Sequence, residues 1–276
     1  MEFKHELDNE CAFHVESNEG FCSPKELVDK LKKFSETRDD KLDKVKKTSL
    51  EILKAKYNCD SETCILNQYD VKRYVDPNMI ERALKENFKP IGPRMNKDWL
   101  SNFNIDEVLR QIQKKYKDKH FFHVPYQMRD FEKTNSELAN LDWESKYKRG
   151  YRTFGTVMNT DYSDGNGIHW FAIFGDFLDD NKCYTIEYFN SSGELPLPEV
   201  SSWMKRFKHS LNLDKPVKDI VVTRIENQKS TSECGLYSLY YIISRLDGIP
   251  MEWFKKNRVK DSTMYTFRQY LFREEK

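Results

Sequence analysis

The chain has 276 residues, with 46 basic and 45 acidic side chains for a net charge of +1, and 14% of it is aromatic. That length makes one large domain or two small ones, and the aromatic content excludes a disordered chain. The near-zero net charge argues against a protein that coats nucleic acid, which needs clustered excess positive charge, so a nucleic-acid partner is not expected.

The charged opening MEFKHELDNE lacks the apolar core of an export signal, and no apolar run approaches the roughly 18–20 residues of a membrane helix. A soluble protein without a membrane segment, kept in a reducing compartment, is expected. Six cysteines at positions 11, 22, 59, 64, 183 and 234 are spaced irregularly. They are expected as free thiols rather than as a disulfide framework.

The first 90 residues read as helical. Ser23-Pro24-Lys25-Glu26 has the form of a capping box, and Leu27, Leu31 and Phe34 follow on one stripe. From Asp39 to Lys56 nearly every residue is charged, with Leu42, Val45, Ile52 and Leu53 as sparse anchors for a solvated helix. Asp76-Pro77 opens another helix, with Ile80, Ala83, Leu84 and Phe88 facing inward. Lys89-Pro90-Ile91-Gly92-Pro93 resists regular structure and marks a linker. The expected division is a helical arm over 1–90 and a second domain over 91–276.

Beyond the linker a helix is expected from Ile105 to Tyr116. Strands are expected at His120–Tyr126, Phe154–Asn159, His169–Phe177, Cys183–Asn190 and Asp219–Ile225, where Phe, Tyr, Val and Ile lie between turn residues. Helices are expected at Pro198–Leu211, Glu233–Leu246 and Met264–Phe272. Strands broken by helices in irregular order give the α+β class.

Three of these segments converge on one chemistry. Gly165-Asn166-Gly167-Ile168 reads as a flexible loop that delivers His169 to the start of a strand. Asn190 closes the next strand, just before Ser191-Ser192-Gly193. If the two strands pair through Asp179-Asp180-Asn181, His169 and Asn190 become neighbours, and an amide oxygen can fix the imidazole tautomer. Cys234 opens a strongly apolar helix, whose positive end should lower the thiol's pKa. Backbone N–H groups there can face a developing oxyanion, and Gln228 could add a side-chain donor. Taken singly, each residue has an ordinary reading: a small core cysteine, a surface histidine, a turn asparagine. Cys59 and Cys64 form a C-x₄-C pair without a second ligand pair, so no metal site is expected. Cys183 reads as core.

The order His–Asn–Gln–Cys, with Gln-x₅-Cys-Gly and a His-Trp pair opening a strand, resembles the adenain/Ulp-like cysteine proteases. Papain-like enzymes run Cys, His, Asn and fit less well. The segments HWFAIFGDF, TIEYFNSSG and SECGLYSLYYI are similar to the African swine fever virus-type polyprotein-processing proteases. So are CDSETC, FKPIGPR, NFNIDEVL and MRDFEK upstream. The resemblance spans most of the chain. It implies a mixed central sheet flanked by helices, with an N-terminal helical arm added to the catalytic core.

The same resemblance implies Cys234 as nucleophile, His169 as general base and acid, Asn190 as orienter and Gln228 as oxyanion donor. It implies Trp170 over a narrow tunnel that admits Gly-Gly. It further implies cleavage after Gly-Gly-Xaa in viral structural polyproteins during particle maturation, in the host cytoplasm at the viral factory and in the virion. No cofactor is implied, and the arm is a candidate for homo-oligomerisation. Two positions depart from the wider Ulp-like pattern: Asn190 and Glu233 stand where many members have Asp, and Glu233 reads as a tolerated change. Trp99-Leu100 is similar to a Trp-Leu stretch that could line a substrate groove, although a core tryptophan is the expected use. The alternatives are a protease acting on host SUMO or ubiquitin conjugates, a non-catalytic scaffold for Gly-Gly tails, and a nucleic-acid-dependent enzyme.

Overall fold

The computed structural model describes residues 10–36, 49–95 and 97–274. They fall into two compact units, one of residues up to 92 with those from 272 onward, the other of residues 93–271.

The smaller unit holds five helices: α1 (Lys25–Glu36), α2 (Ser49–Tyr57), α3 (Glu62–Asn67), α4 (Tyr69–Tyr74) and α5 (Pro77–Glu86). The expected stripe of α1 is inward, with Leu27 and Leu31 buried and Phe34 stacked on Tyr74 at 4.4 Å between ring centroids. The capping box at its start is not formed as expected, because Glu26 reaches forward to Lys30 at 3.2 Å. The amides of Cys22 and Ser23 donate instead to Glu62, at 2.7 and 3.1 Å. Burial pushes the Glu62 carboxyl above the usual range, and these bonds pull it partly back. Asp76 caps α5 by accepting from the Asn78 amide, with Pro77 in the first turn, as its sequence implied. Leu42 and Val45 lie outside the described residues. Of the same stretch, Leu53 is buried and Ile52 exposed.

The free-thiol expectation fails in this unit. Cys11 pairs with Cys22 and Cys59 with Cys64, with Cα atoms 4.9 and 5.6 Å apart. Both separations suit a bridge, and each pair is closed by a local turn that irregular spacing does not advertise. Cys183 and Cys234 are free. The Lys89–Pro93 stretch is also more ordered than a linker. Ile91 bridges Arg273, the Gly92 amide donates to the Arg273 carbonyl, and Arg273 donates to the carbonyls of Lys89 and Pro90. The chain's end thus returns to the smaller unit, which a linear boundary cannot convey.

The larger unit is built on one five-stranded sheet: β1 (Phe121–His123), β2 (Thr153–Asn159), β3 (Trp170–Asp176), β4 (Tyr184–Phe189) and β5 (Val217–Val221), side by side in that order. The outer pairs β1/β2 and β4/β5 are parallel, and β2/β3 and β3/β4 are antiparallel. Around it lie α6 (Asn102–Lys115), α7 (Trp143–Lys148), α8 (Pro198–Ser210), α9 (Cys234–Leu246), α10 (Met251–Lys256) and α11 (Asp261–Leu271). Every residue of β2 and β3 is buried, as strands covered on both faces must be. Phe154, Phe171, Ile173, Ile186 and Tyr188 face Trp143, Val200, Trp203 and Phe207 from α7 and α8. On the opposite face Phe189 stacks on Tyr241 of α9 at 4.5 Å. Helix α9 is apolar all round and almost wholly buried, the pattern of a central helix. Among the described residues no helix is long and apolar enough to cross a membrane.

One buried ionic cluster ties α9 to the central hairpin. Arg245 donates to Glu187 of β4 at 2.8 Å and to Asp176 of β3 at 2.7 Å, and Tyr241 donates to Glu187. Charges so buried are tolerated only when paired this fully. The cluster fixes the far end of α9 against β3 and β4, and so the axial position of Cys234 at its near end.

Candidate active site

The hairpin forms as its sequence implied, with Ala172 opposite Phe189 and Asp176 opposite Thr185. His169 precedes β3 by one residue and Asn190 follows β4 by one. Their side chains meet, His169 Nε2 lying 2.7 Å from Asn190 Oδ1. The protonation pattern follows from the neighbours. The Ser192 backbone N–H can only donate, and it lies 3.0 Å from the same Oδ1. Asn190 Nδ2 donates to the Tyr188 hydroxyl at 3.0 Å. The amide orientation is therefore fixed, and Nε2 must carry hydrogen to donate to an oxygen. In a neutral imidazole, Nδ1 then keeps its lone pair and is free to act as a base.

The segment before His169 is not the flexible loop its glycines suggest. Asn159 Oδ1 accepts from the amides of Asp161 and Ile168, at 2.9 and 3.0 Å, and Asp161 Oδ2 accepts from Gly167 at 2.9 Å. Gly167 has φ +87°, which a residue with a Cβ would hold only under strain. After β4 the turn is equally constrained. Gly193 has φ +74°, and a Cβ there would lie 2.7 Å from the Arg224 carbonyl oxygen.

Cys234 starts α9 and is 2% exposed. The backbone N–H of Trp170 donates to its sulfur, which places the thiol beside the residue that follows His169. The expectation of a lowered pKa is overturned. Burial pushes the thiol above the ordinary cysteine range and the charge of Glu233 adds to that push. The N–H of Trp170 at the start of β3 acts downward, as do those of Gly235 and Cys234 at the helix start, but burial is the larger effect. The resting group is thus a thiol. Alkylation of Cys234 by iodoacetamide should accelerate with pH through and beyond the ordinary thiol value of about 8.5. A rate that levels off below pH 7 would indicate a resting thiolate instead.

Gln228 is linked to the same turn through Ser191. Its amide oxygen accepts from Ser191 Oγ at 2.8 Å and its backbone N–H donates to the Ser191 carbonyl at 3.1 Å. One side-chain N–H goes to the Ser230 carbonyl at 2.9 Å, which leaves the second to donate elsewhere. Trp170 is buried, its indole N–H held by the Leu100 carbonyl at 3.1 Å and its ring edge-on to Tyr126. Trp99, expected in the core, is 48% exposed, while Leu100 is buried. The structure thus joins His169 to Asn190 directly, Gln228 to the residue after Asn190, and Cys234 to the residue after His169.

Several supporting residues carry no sequence signal. Tyr188, Asn159, Asp161 and Ser191 read as ordinary strand and turn residues. Glu233, noted only as a departure, is fully buried at the start of α9. It accepts from the amide and hydroxyl of Ser232, and its carboxylate lies 3.7 Å from Arg268 of α11. Arg268, 2% exposed, also donates to the carbonyls of Pro93 at 3.1 Å and Asp98 at 2.8 Å.

No protein-family model matches the chain. Two African swine fever virus proteins, named SUMO-1 cysteine protease and cysteine protease, are 38% and 39% identical to it over 281 residues. Those alignments cover 96% of this chain and 95% of each relative. The chain belongs to the African swine fever virus-type cysteine protease family. The protease also superposes on the crystal structure of the virus's pS273R protease with a TM-score of 0.80 at 36% identity, covering 96% of each chain. The α+β class expected from the sequence is that of this solved relative.

Asn190→Ala in the protease should lower kcat by roughly 10²-fold, since general-base catalysis as a whole contributes about 10²–10⁴ and orientation is part of it. Asn190→Asp, which keeps an oxygen toward Nε2, should retain more activity than the alanine variant. Steady-state kinetics on a peptide substrate decide this, and a wild-type rate for the alanine variant would remove Asn190 from the site.

Proposed function

We propose that the protease is an endopeptidase that cuts after Gly-Gly-Xaa in viral structural polyproteins during particle maturation, in the host cytoplasm and the virion. The observation that carries the reading is the fixed His169–Asn190 pair, with the backbone N–H of Trp170, the residue after His169, acting on the Cys234 thiol. In this reading His169 Nδ1 takes the thiol proton as Sγ attacks the scissile carbonyl carbon. The Cys234 N–H and the free N–H of Gln228 receive the oxyanion. The imidazolium, steadied by Asn190, gives its proton to the leaving amine. His169 then takes a proton from water, which releases the acyl group and restores the thiol. Desolvation that holds the resting sulfur neutral also strengthens the attraction between thiolate and imidazolium once the proton has moved.

The Gly-Gly preference is supported by Trp170, which is pinned by Leu100 and Tyr126 and has little room to swing aside. The narrow tunnel that the resemblance implies, bordered by so fixed a ring, would favour residues without side chains. The test is a Gly-Gly-Xaa peptide series with wild type and Cys234→Ala, read by mass spectrometry. A cut after Xaa, absent from the variant, is expected; no cut in a peptide that contains the motif would sink the proposed specificity. A second reading, cleavage of SUMO conjugates, is favoured by the name of one relative, SUMO-1 cysteine protease. A SUMO conjugate offered beside a polyprotein fragment separates the two.

A further inference from the structure

The turn after β4 does more than present Asn190 to His169. Ser191, the next residue, is 1% exposed and bonds the Gln228 segment with both its main chain and its side chain. Its carbonyl accepts from the amides of Asn227 and Gln228 at 2.7 and 3.1 Å. Its hydroxyl donates to Gln228 Oε1 at 2.8 Å. Any residue could supply the carbonyl bonds; the third needs a hydroxyl.

That bond acts on the direction of the Gln228 carboxamide. The Ser230 carbonyl can only accept, and it lies 2.9 Å from Nε2, so the nitrogen end of the amide is identified. Oε1 is then the atom that faces Ser191, and the serine must give its hydrogen to it. The last torsion of a glutamine is broad, with no sharp staggered well to hold the planar group. A single bond to Ser230 would leave the amide able to swing. The second bond, from Ser191, fixes its plane and hence the direction of the N–H that remains. A donor held in advance stabilises a developing oxyanion without reorganising, which is the condition for its full effect.

Other groups hold the backbone of the same segment. Asp261 accepts from the amides of Lys229 and Ser230, at 3.2 and 3.0 Å, and from the Tyr237 hydroxyl of α9 at 2.8 Å. The Val259 amide donates to Asn227 Oδ1 at 2.8 Å. None of these bonds uses the Ser191 hydroxyl. Its removal therefore frees the Gln228 side chain and leaves the loop in place.

We propose that Ser191 is a positioning residue for the oxyanion site. Its hydroxyl holds the Gln228 carboxamide with one N–H available, so the turn that carries Asn190 also sets the oxyanion donor. The proposal rests on the reading of Gln228 as that donor.

The experiment compares cleavage of a peptide that the wild type cuts with iodoacetamide alkylation of Cys234, read by peptide mapping. The proteins are wild type, Ser191→Ala, Gln228→Ala and the double variant. Alkylation needs the thiol to lose its proton but forms no oxyanion, so it reports on Cys234 and His169 without Gln228. Gln228→Ala should lower kcat by about 10²-fold, the usual weight of one oxyanion donor. Ser191→Ala should lower kcat about fivefold to tenfold, the weight of one hydrogen bond, with KM near the wild-type value. The double variant should be no slower than Gln228→Ala, since Ser191 then has nothing to position. Alkylation should keep its wild-type rate and pH profile in all four proteins. Wild-type cleavage by Ser191→Ala, beside a loss in Gln228→Ala, would overturn the proposal alone. Wild-type cleavage by Gln228→Ala would remove the reading of Gln228 and the proposal with it. Alkylation slowed in step with cleavage would place Ser191 behind the His169–Asn190 pair and overturn the proposal. So would a double variant slower than Gln228→Ala by the full Ser191→Ala factor, the mark of a merely structural hydroxyl.

Discussion

Cys234→Ala and His169→Ala are each expected to lower peptide cleavage by about 10⁴–10⁶-fold, the range for removing one member of a nucleophile–base pair. Both variants should keep the fold. The cysteine substitution removes one sulfur from a helix start whose other buried contacts come from Leu236, Tyr237 and Leu239. The histidine is half-buried, and without it Asn190 Oδ1 still accepts from the amide and hydroxyl of Ser192, both at 3.0 Å. His169→Ala leaves no buried polar group unpartnered, and Cys234→Ala takes away only the weak sulfur acceptor of the Trp170 N–H, so each stability loss should stay at about 1–2 kcal/mol. Near-UV circular dichroism and thermal melts check the fold, and mass spectrometry of a peptide digest checks the rate. Loss of the folded signal together with activity would mean that these residues serve the core. Unimpaired cleavage would move the chemistry to another group. Labelling by an electrophilic thiol probe adds a separate readout, since it should vanish in Cys234→Ala and persist in Asn190→Ala.

Much of this site was legible in the sequence, for a physical reason. A hairpin with a short polar turn places the start of one strand beside the end of the next. From that alone His169 and Asn190 had to be neighbours once β3 and β4 were recognised. Cys234 was legible because an apolar run of helical length has only one start. The groups that hold these residues in place were not legible. Asn159 and Asp161 act through backbone amides of their own loop, and a polar residue between glycines looks like any turn. Tyr188 works from the same strand as Asn190 but reads as strand packing. The four short helices α3, α4, α7 and α10 are six residues each. That is under two turns, too few to establish a periodic stripe. The disulfides were missed because cysteine spacing was judged along the chain, whereas bridging depends on Cα separation in space. The lowered thiol pKa expected at a helix start fails on magnitude: the N–H groups of Gly235 and Cys234 act in the expected direction, but burial outweighs them.

Arg268 is where a large effect is expected from a residue outside the chemistry. Glu233 is the residue before Cys234, fully buried, and its charge pushes the Cys234 thiol upward. The guanidinium 3.7 Å away offsets that charge. Removing one partner of a buried pair leaves the other uncompensated, at a cost of about 3–5 kcal/mol. Arg268→Leu should therefore lower the melting temperature strongly. It should also slow the enzyme, because the unbalanced carboxylate disfavours the thiolate and because the Pro93 and Asp98 carbonyls lose their donor. Glu233→Gln in the same chain removes the orphaned charge and should restore much of the stability. It should also return the pH profile of Cys234 alkylation toward wild type, since the unbalanced carboxylate alone pushes it alkaline. The pair of readouts separates packing from charge. If Arg268 served packing alone, the double variant would melt no higher than Arg268→Leu, and the alkylation profile would be the same in all three proteins.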